Sequence, residues 1–173
     1  MPGLSDVETA VAYLGLGGNL ADPVANMAAA LRALDADAKI AVTAVSCLYR
    51  TPPWGVTDQP DFVNAAAMVE TSLSPRKLLA RCLEVERLLK RERRERWGPR
   101  LIDIDVLNYE DVELMEDGLV LPHPRMHERA FVLVPLADIA PKLQIAGRTV
   151  RAWMEKTNTS DIKRLGEDRD WWR

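Results

Sequence analysis

Two hydrophobic periods alternate along the chain, and they predict the order of its elements. Residues 11–16 are almost wholly apolar and read as a strand. The strand runs into Gly15-Leu16-Gly17-Gly18-Asn19-Leu20, read as a tight turn that lets the backbone approach a neighbour or ligand. Asp22 followed by Pro23 marks a helix start, a capping carboxylate and then proline at the first helical position. Val24, Met27, Leu31 and Leu34 follow at helical spacing. Residues 40–50 are rich in β-branched side chains and predict one strand, which Pro52 and Pro53 must end because proline cannot donate to a ladder. Residues 62–71 predict the next strand, with Phe62, Asn64, Ala66 and Met68 on one face and Val63, Ala65, Ala67 and Val69 on the other. Ser74-Pro75 opens a second helix whose stripe is Leu78, Cys82, Val85 and Leu89. A Gly98-Pro99 turn then leads into a last apolar strand around Ile102, Ile104 and Val106.

The order β-α-β-β-α-β is the split arrangement of ferredoxin-like folds. The expected class is therefore α+β: a ferredoxin-like core whose antiparallel sheet is flanked by helices, followed by a C-terminal α/β extension. In that extension, residues 112–120 read as a hairpin around Glu116-Asp117-Gly118, and Leu121-Pro122-His123-Pro124 as a rigid loop. Residues 129–139 read as a helix with Pro135 as a point of interruption, residues 142–150 as a strand pair turning at Gly147, and Trp153 as part of a short helix. Trp171 and Trp172 either pack back or dangle. With no repeat, low-complexity tract or linker, residues 1–173 are expected to form a single domain.

The last strand of the core carries the chemistry. Asp103 and Asp105 sit two apart, so they share one strand face, flanked there by Leu101 and Leu107. A lone D-x-D is often a solvated edge strand. Here the residues between and beyond are Ile and Val, and Arg96, Trp97 and Arg100 lie just upstream. Paired carboxylates in an apolar strand call for a cation, and Mg2+, which keeps waters and takes further ligands from phosphates, suits them. The arginine forks match phosphate geometry. These residues alone point to a Mg-nucleotide site.

Charge sharpens that reading. The net charge is -3, unlike a general nucleic-acid binder, yet Arg87, Lys90, Arg91, Arg93, Arg94, Arg96 and Arg100 face only Glu92 and Glu95 in their window. A local basic patch on an acidic protein suits a small anionic ligand. Arg91, Arg93, Arg96 and Arg100 are weighted toward phosphate contact, and Arg87 and Arg94 toward solvent. His123, framed by prolines, is a candidate phosphate donor. Trp54, Phe62 and Asn64 offer aromatic faces and an amide, as a flat heterocycle requires. Cys47 and Cys82 lie in apolar segments without metal-ligand spacing and read as buried thiols of a reducing compartment. No signal peptide and no membrane-length apolar run is visible, so a cytoplasmic protein is expected.

Four stretches together closely resemble the 6-hydroxymethyl-7,8-dihydropterin pyrophosphokinases of folate biosynthesis: YRTPPWG at residues 49–55, DQPDFVNA at 58–65, RWGPRLIDIDVL at 96–107 and LPHPRMHERAFVLVPL at 121–136. The resemblance implies transfer of pyrophosphate from ATP to the pterin hydroxymethyl oxygen, with release of AMP. It implies that Asp103 and Asp105 hold two Mg2+ ions. It places Glu86, Arg93, Arg96, Trp97, His123 and Arg129 on the ATP side, and Thr51, Pro52, Trp54, Phe62, Asn64 and Phe131 in a pterin pocket. Arg91 and Arg100 are expected to be catalytic with the two aspartates. Departures are Gly18 for a usual serine, Lys90-Arg91 for a usual Gly-Arg, Pro124 after the histidine, and Gly118 where some members carry arginine. Expected partners are the two small-molecule substrates, with no nucleic acid and no membrane, acting on a monomer. The rivals are a Mg-dependent nucleotide pyrophosphohydrolase, in which water replaces the pterin, and a ferredoxin-like RNA-binding module, which would need exposed sheet aromatics and no paired aspartates.

Overall fold

The computed structural model describes residues 8–53, 58–90 and 101–173. Its sheet is built around β1 (Ala10–Gly18), which pairs with β4 (Phe62–Thr71) on one side and β5 (Asp103–Tyr109) on the other. Along the far side of β4 lie β2 (Ile40–Val45) and β3 (Tyr49–Thr51), and β10 (Lys163–Arg164) covers the edge of β3. Every pairing is antiparallel, and the order is β10-β3-β4-β1-β5 with β2 also beside β4.

The alternating side chains of these strands feed two cores. On one face, Leu14, Leu16, Val63, Ala65, Ala67, Val69, Ile104 and Val106 pack with the apolar stripes of α1 (Pro23–Asp35) and α2 (Pro75–Lys90). Asp22 caps α1 as expected, accepting from the Ala25 amide at 3.1 Å. On the other face, Ala66 and Leu107 pack with Met126, Leu133 and Leu136. These last belong to a 3-10 turn (Met126–Glu128) and α3 (Ala130–Ile139), and Val150 of α4 (Val150–Lys156) joins the same core. A hairpin of β6 (Leu114–Glu116) and β7 (Leu119–Leu121) turns at Asp117-Gly118, and β8 (Gln144–Ile145) pairs with β9 (Arg148–Thr149).

Four local expectations are refined. The glycine stretch is not a turn: β1 continues through Gly18, because partners on both sides satisfy its backbone. The strand expected over residues 40–50 is broken, since residues 46–48 leave the ladder between β2 and β3. Pro135 lies inside α3 without ending it, removing only the N–H that would reach the Phe131 carbonyl. The tail packs back, with Trp172 only 4% exposed in the helix-side core.

Leu14 is fully buried in the central strand. Replacing it with alanine is expected to cost about 2–5 kcal/mol, read as a lower urea midpoint with an unchanged slope. A loss below about 1 kcal/mol would contradict the central place given to β1.

Candidate active site

The register of the sheet brings the sequence-predicted residues onto one face. Gly17 of β1 stands opposite Asn64 of β4 and Asp103 of β5, and Gly15 opposite Ala66 and Asp105. Tyr49 lies opposite Asn64, and Thr51 opposite Phe62. Directly opposed residues project on the same side of a sheet. One rung thus reads Asp103, Gly17, Asn64, Tyr49, and the next Asp105, Gly15, Ala66. A Cβ on Gly17 would lie 2.6 Å from Asn64 Oδ1, and one on Gly15 would lie 3.4 Å from a Leu107 methyl. Gly17 therefore lets the asparagine lean over the central strand toward Asp103, while Leu107 lies over Gly15 on the same face. Asn64 is buried, and its Nδ2 donates to Thr51 Oγ1 at 2.8 Å, which fixes the orientation of the amide. At the end of β1, Asn19 Nδ2 donates to Gln59 Oε1 at 2.9 Å and to the Pro60 carbonyl at 3.1 Å, tying down the segment that leads into Phe62.

The carboxylate strand is secured to α2. Glu86 Oε1 accepts from the Ile104 amide at 2.6 Å. Lys90 Nζ lies 3.7 Å from Glu86 Oε2 and 3.9 Å from Asp103 Oδ1. Burial raises the Glu86 pKa, Asp103 and Asp105 add to the rise, and the Ile104 amide and Lys90 oppose it. Asp105 is exposed and Asp103 half-buried. Among the described residues, no group of three or more His, Cys, Asp or Glu side chains is arranged to hold a metal ion alone. Two carboxylates on one strand face form an incomplete donor set of the kind Mg2+ uses with water and phosphate.

Beside Asp105 a cleft of about 260 Å³ is lined by Leu79, Val106, Leu119, Val120 and His123. The His123 amide donates to the Leu107 carbonyl at 2.8 Å, and its Nδ1 accepts from the Arg125 amide at 3.2 Å. An accepting Nδ1 puts the proton of the neutral ring on Nε2, which leaves that atom as a donor. Burial lowers the pKa of His123, Arg129 and Arg125 lower it further, and Asp105 works against them. A lining that combines apolar side chains with a carboxylate and an imidazole suits a nucleoside bearing phosphates.

Arg129 precedes α3 and lies over the Phe131 ring, 5.6 Å from its centroid. Pro52 follows β3 and is exposed. Trp54, Arg91, Arg93, Arg96, Trp97 and Arg100 lie outside the described residues. Sequence reasoning did not find Leu79, Val106 and Val120 as cleft walls, nor Lys90 between two carboxylates. The signal for Gly15 and Gly17 was present: glycines two apart in an apolar strand vacate one face.

Gly17→Ala is expected to displace Asn64 and weaken binding of a heterocycle on that side about tenfold, while nucleotide affinity changes less than about twofold. Fluorescence titration of each ligand checks this, and equal losses for both would contradict the division of the face.

The family model for 7,8-dihydro-6-hydroxymethylpterin-pyrophosphokinase (HPPK) matches residues 13–141. A Methylorubrum extorquens protein named 2-amino-4-hydroxy-6-hydroxymethyldihydropteridine pyrophosphokinase is 54% identical over 154 residues, covering 89% of this chain and 98% of the relative. A Bacillus subtilis protein of the same name is 37% identical over 159 residues, covering 88% and 95%. A Plasmodium falciparum HPPK-DHPS crystal structure superposes with a TM-score of 0.74 at 18% identity, a likeness of fold. The aligned region covers 93% of this chain and 48% of the other, so this chain spans about half of that solved protein. The family match runs from β1 through the carboxylate strand to the end of α3, and with these two relatives it shows that the chain belongs to the 7,8-dihydro-6-hydroxymethylpterin-pyrophosphokinase family.

Proposed function

We propose that this chain transfers pyrophosphate from ATP to 6-hydroxymethyl-7,8-dihydropterin, giving the pterin diphosphate and AMP in folate biosynthesis. Family membership supports the reaction. The observation that carries the assignment of the site is the rung on which Asp103 and Asn64 flank the bare Gly17. A carboxylate of the pair and a buried amide on either side of one central strand support a reaction that joins a nucleotide to a pterin.

Asp103 and Asp105 would hold two Mg2+ ions, which when bound neutralise charge on the triphosphate. The remaining work falls to the protein. The cleft beside Asp105 takes the nucleoside, and His123 donates from Nε2 to a phosphate oxygen. Glu86, Arg93, Arg96, Trp97 and Arg129 serve the ATP side. Arg91 and Arg100 act on the transferred group, for which fork-shaped, permanently charged donors are suited. On the other half, Asn64 pairs with the pterin edge, Thr51 holds Asn64, and Phe62, Phe131, Trp54 and Pro52 enclose the rings. Positioning and electrostatics do most of the catalysis, and no side chain here is assigned as a general base.

We read the fold as ferredoxin-like: β5-β1-β4-β2 with α1 and α2 on one face is the order that supports this. The reading treats the chain as one domain and a cytoplasmic monomer that binds no nucleic acid. Among the described residues no helix is long and apolar enough to cross a membrane.

An assay for AMP with Mg-ATP, with and without the pterin, tests the proposal. Pterin-dependent AMP release is expected, and Asp105→Ala should lower it at least about a hundredfold while pterin binding is retained. AMP formed at the same rate without pterin would favour the hydrolase, and activity surviving Asp105→Ala within about tenfold would refute the metal assignment.

A further inference from the structure

The strand that carries Thr51 is held from outside the sheet. Where residues 46–48 leave the regular ladder, Ser46 takes over its bonds to β4: its amide donates to the Ala66 carbonyl at 2.9 Å, and its Oγ accepts from the Ala66 amide at 2.8 Å. Asp138, near the end of α3, secures Cys47 and Tyr49. Its Oδ2 accepts from the Cys47 amide at 3.0 Å, and its two carboxylate oxygens lie 2.9 and 2.7 Å from the Tyr49 hydroxyl. Tyr49 is buried, and burial first and the Asp138 carboxylate second push its phenol well above the usual range. The hydroxyl is therefore a donor at any working pH. Tyr49 stands opposite Asn64, and two residues on, Thr51 accepts from the Asn64 amide.

The C-terminal segment locks the same strand from its edge. Lys163 and Arg164 pair with Arg50 and Tyr49, and the Leu165 amide donates to the Leu48 carbonyl at 2.8 Å. Trp171 Nε1 donates to the Ser46 carbonyl at 2.9 Å, and Arg169 Nη1 to the Asp138 carbonyl at 3.1 Å. Trp172 is anchored in the helix-side core, where its carbonyl accepts from Arg32 Nη1 at 3.0 Å. The tail thus passes from α3 around the sheet edge to α1. It lies beyond residues 13–141, the segment matched to the family.

We infer that Asp138 is a positioning residue for the pterin half of the site, fixing residues 47–51 through Tyr49 and the Cys47 amide, with the C-terminal segment clamping the same strand from the edge. The inference rests on the proposed role of Thr51 and Asn64 in holding the pterin. Asp138 acts through Tyr49 and β3 on the Thr51–Asn64 pair. The aspartates lie on β5, across β4 and β1 from β3, so the nucleotide half is insulated from this contact.

The test is steady-state kinetics on the full chain with Asp138→Asn, Tyr49→Phe, the double variant and Trp171→Phe. The KM for pterin is expected to rise about tenfold in each of the first two, with the KM for ATP within about twofold of wild type. The double variant should match the worse single one, because both changes remove the same coupling. Trp171→Phe keeps a ring in place but removes the indole donor, and should raise the pterin KM about threefold. If Asp138→Asn does not fold, Tyr49→Phe and Trp171→Phe carry the test. An unchanged pterin KM, a parallel rise in both KM values, or multiplying effects in the double variant would overturn the inference. A wild-type enzyme without pterin-dependent AMP release would instead overturn the functional reading on which it rests.

Discussion

Two missing side chains organise the sheet. The central strand presents only hydrogen at Gly15 and Gly17 on the face where its neighbours carry aspartates and an asparagine. Glycine within a strand costs about 0.5–1 kcal/mol relative to alanine, so its presence twice asks for a reason. The reason is steric at residue 17, where Asn64 Oδ1 occupies the space a side chain would fill, and at residue 15 the Leu107 side chain lies over the strand. Laddering on both sides offsets the conformational freedom the glycines lose. Once that space is open, the buried amide of Asn64 needs a partner, since an unsatisfied one costs about 1–3 kcal/mol. Thr51 supplies it, and with it the requirement that β3 be held in register.

The other half of the face is governed by charge. The aspartates on β5 bring like charges together, and Lys90 near the C-terminal end of α2 stands within ion-pair distance of Asp103 and Glu86. A cation in a last helical turn is favoured by the helix dipole. Lys90 is 42% exposed, so the pair contributes at most about 1 kcal/mol. Glu86 works differently. Its bond to the Ile104 amide ties α2 directly to the backbone between the two aspartates, so the helix sets the position of the strand. Burial disfavours the ionised form of Glu86, against the Ile104 amide and Lys90, and disfavours the protonated form of His123, against Asp105.

Much of this was legible in the chain. Alternation along residues 62–71 and 101–107 assigned the correct faces, including Ala66 and Leu107 on the side covered by α3. Proline after a capping residue located both α1 and α2. What periodicity missed depends on long-range partners. A glycine-rich stretch reads as a turn unless strands exist on both flanks to satisfy it. The break at Ser46 looks like continuous strand because the bonds that replace the ladder come from residues as distant as Asp138 and Trp171. The aspartate pair and Asn64 could be named from residue type and spacing. The apolar cleft walls could not, because Leu79, Val106 and Val120 come from three elements, and only the folded chain sets them beside Asp105. The family resemblance, carried by four short stretches, named the reaction that the comparisons support.

The central claim is that one face of one sheet divides into a metal-nucleotide half and a heterocycle half across bare glycines. Its most direct test is electron paramagnetic resonance of Mn2+ bound with a non-hydrolysable ATP analogue, recorded as a pterin with 13C at the hydroxymethyl carbon is added. A 13C hyperfine coupling to the ion is expected, because Asp103 and Asn64 stand two strand spacings of about 4.8 Å apart and the hydroxymethyl carbon lies between them. The coupling should be lost when Asp103 and Asp105 are both replaced by asparagine. A bound pterin with no coupling in the wild-type protein, or a coupling unchanged in the double variant, would contradict it.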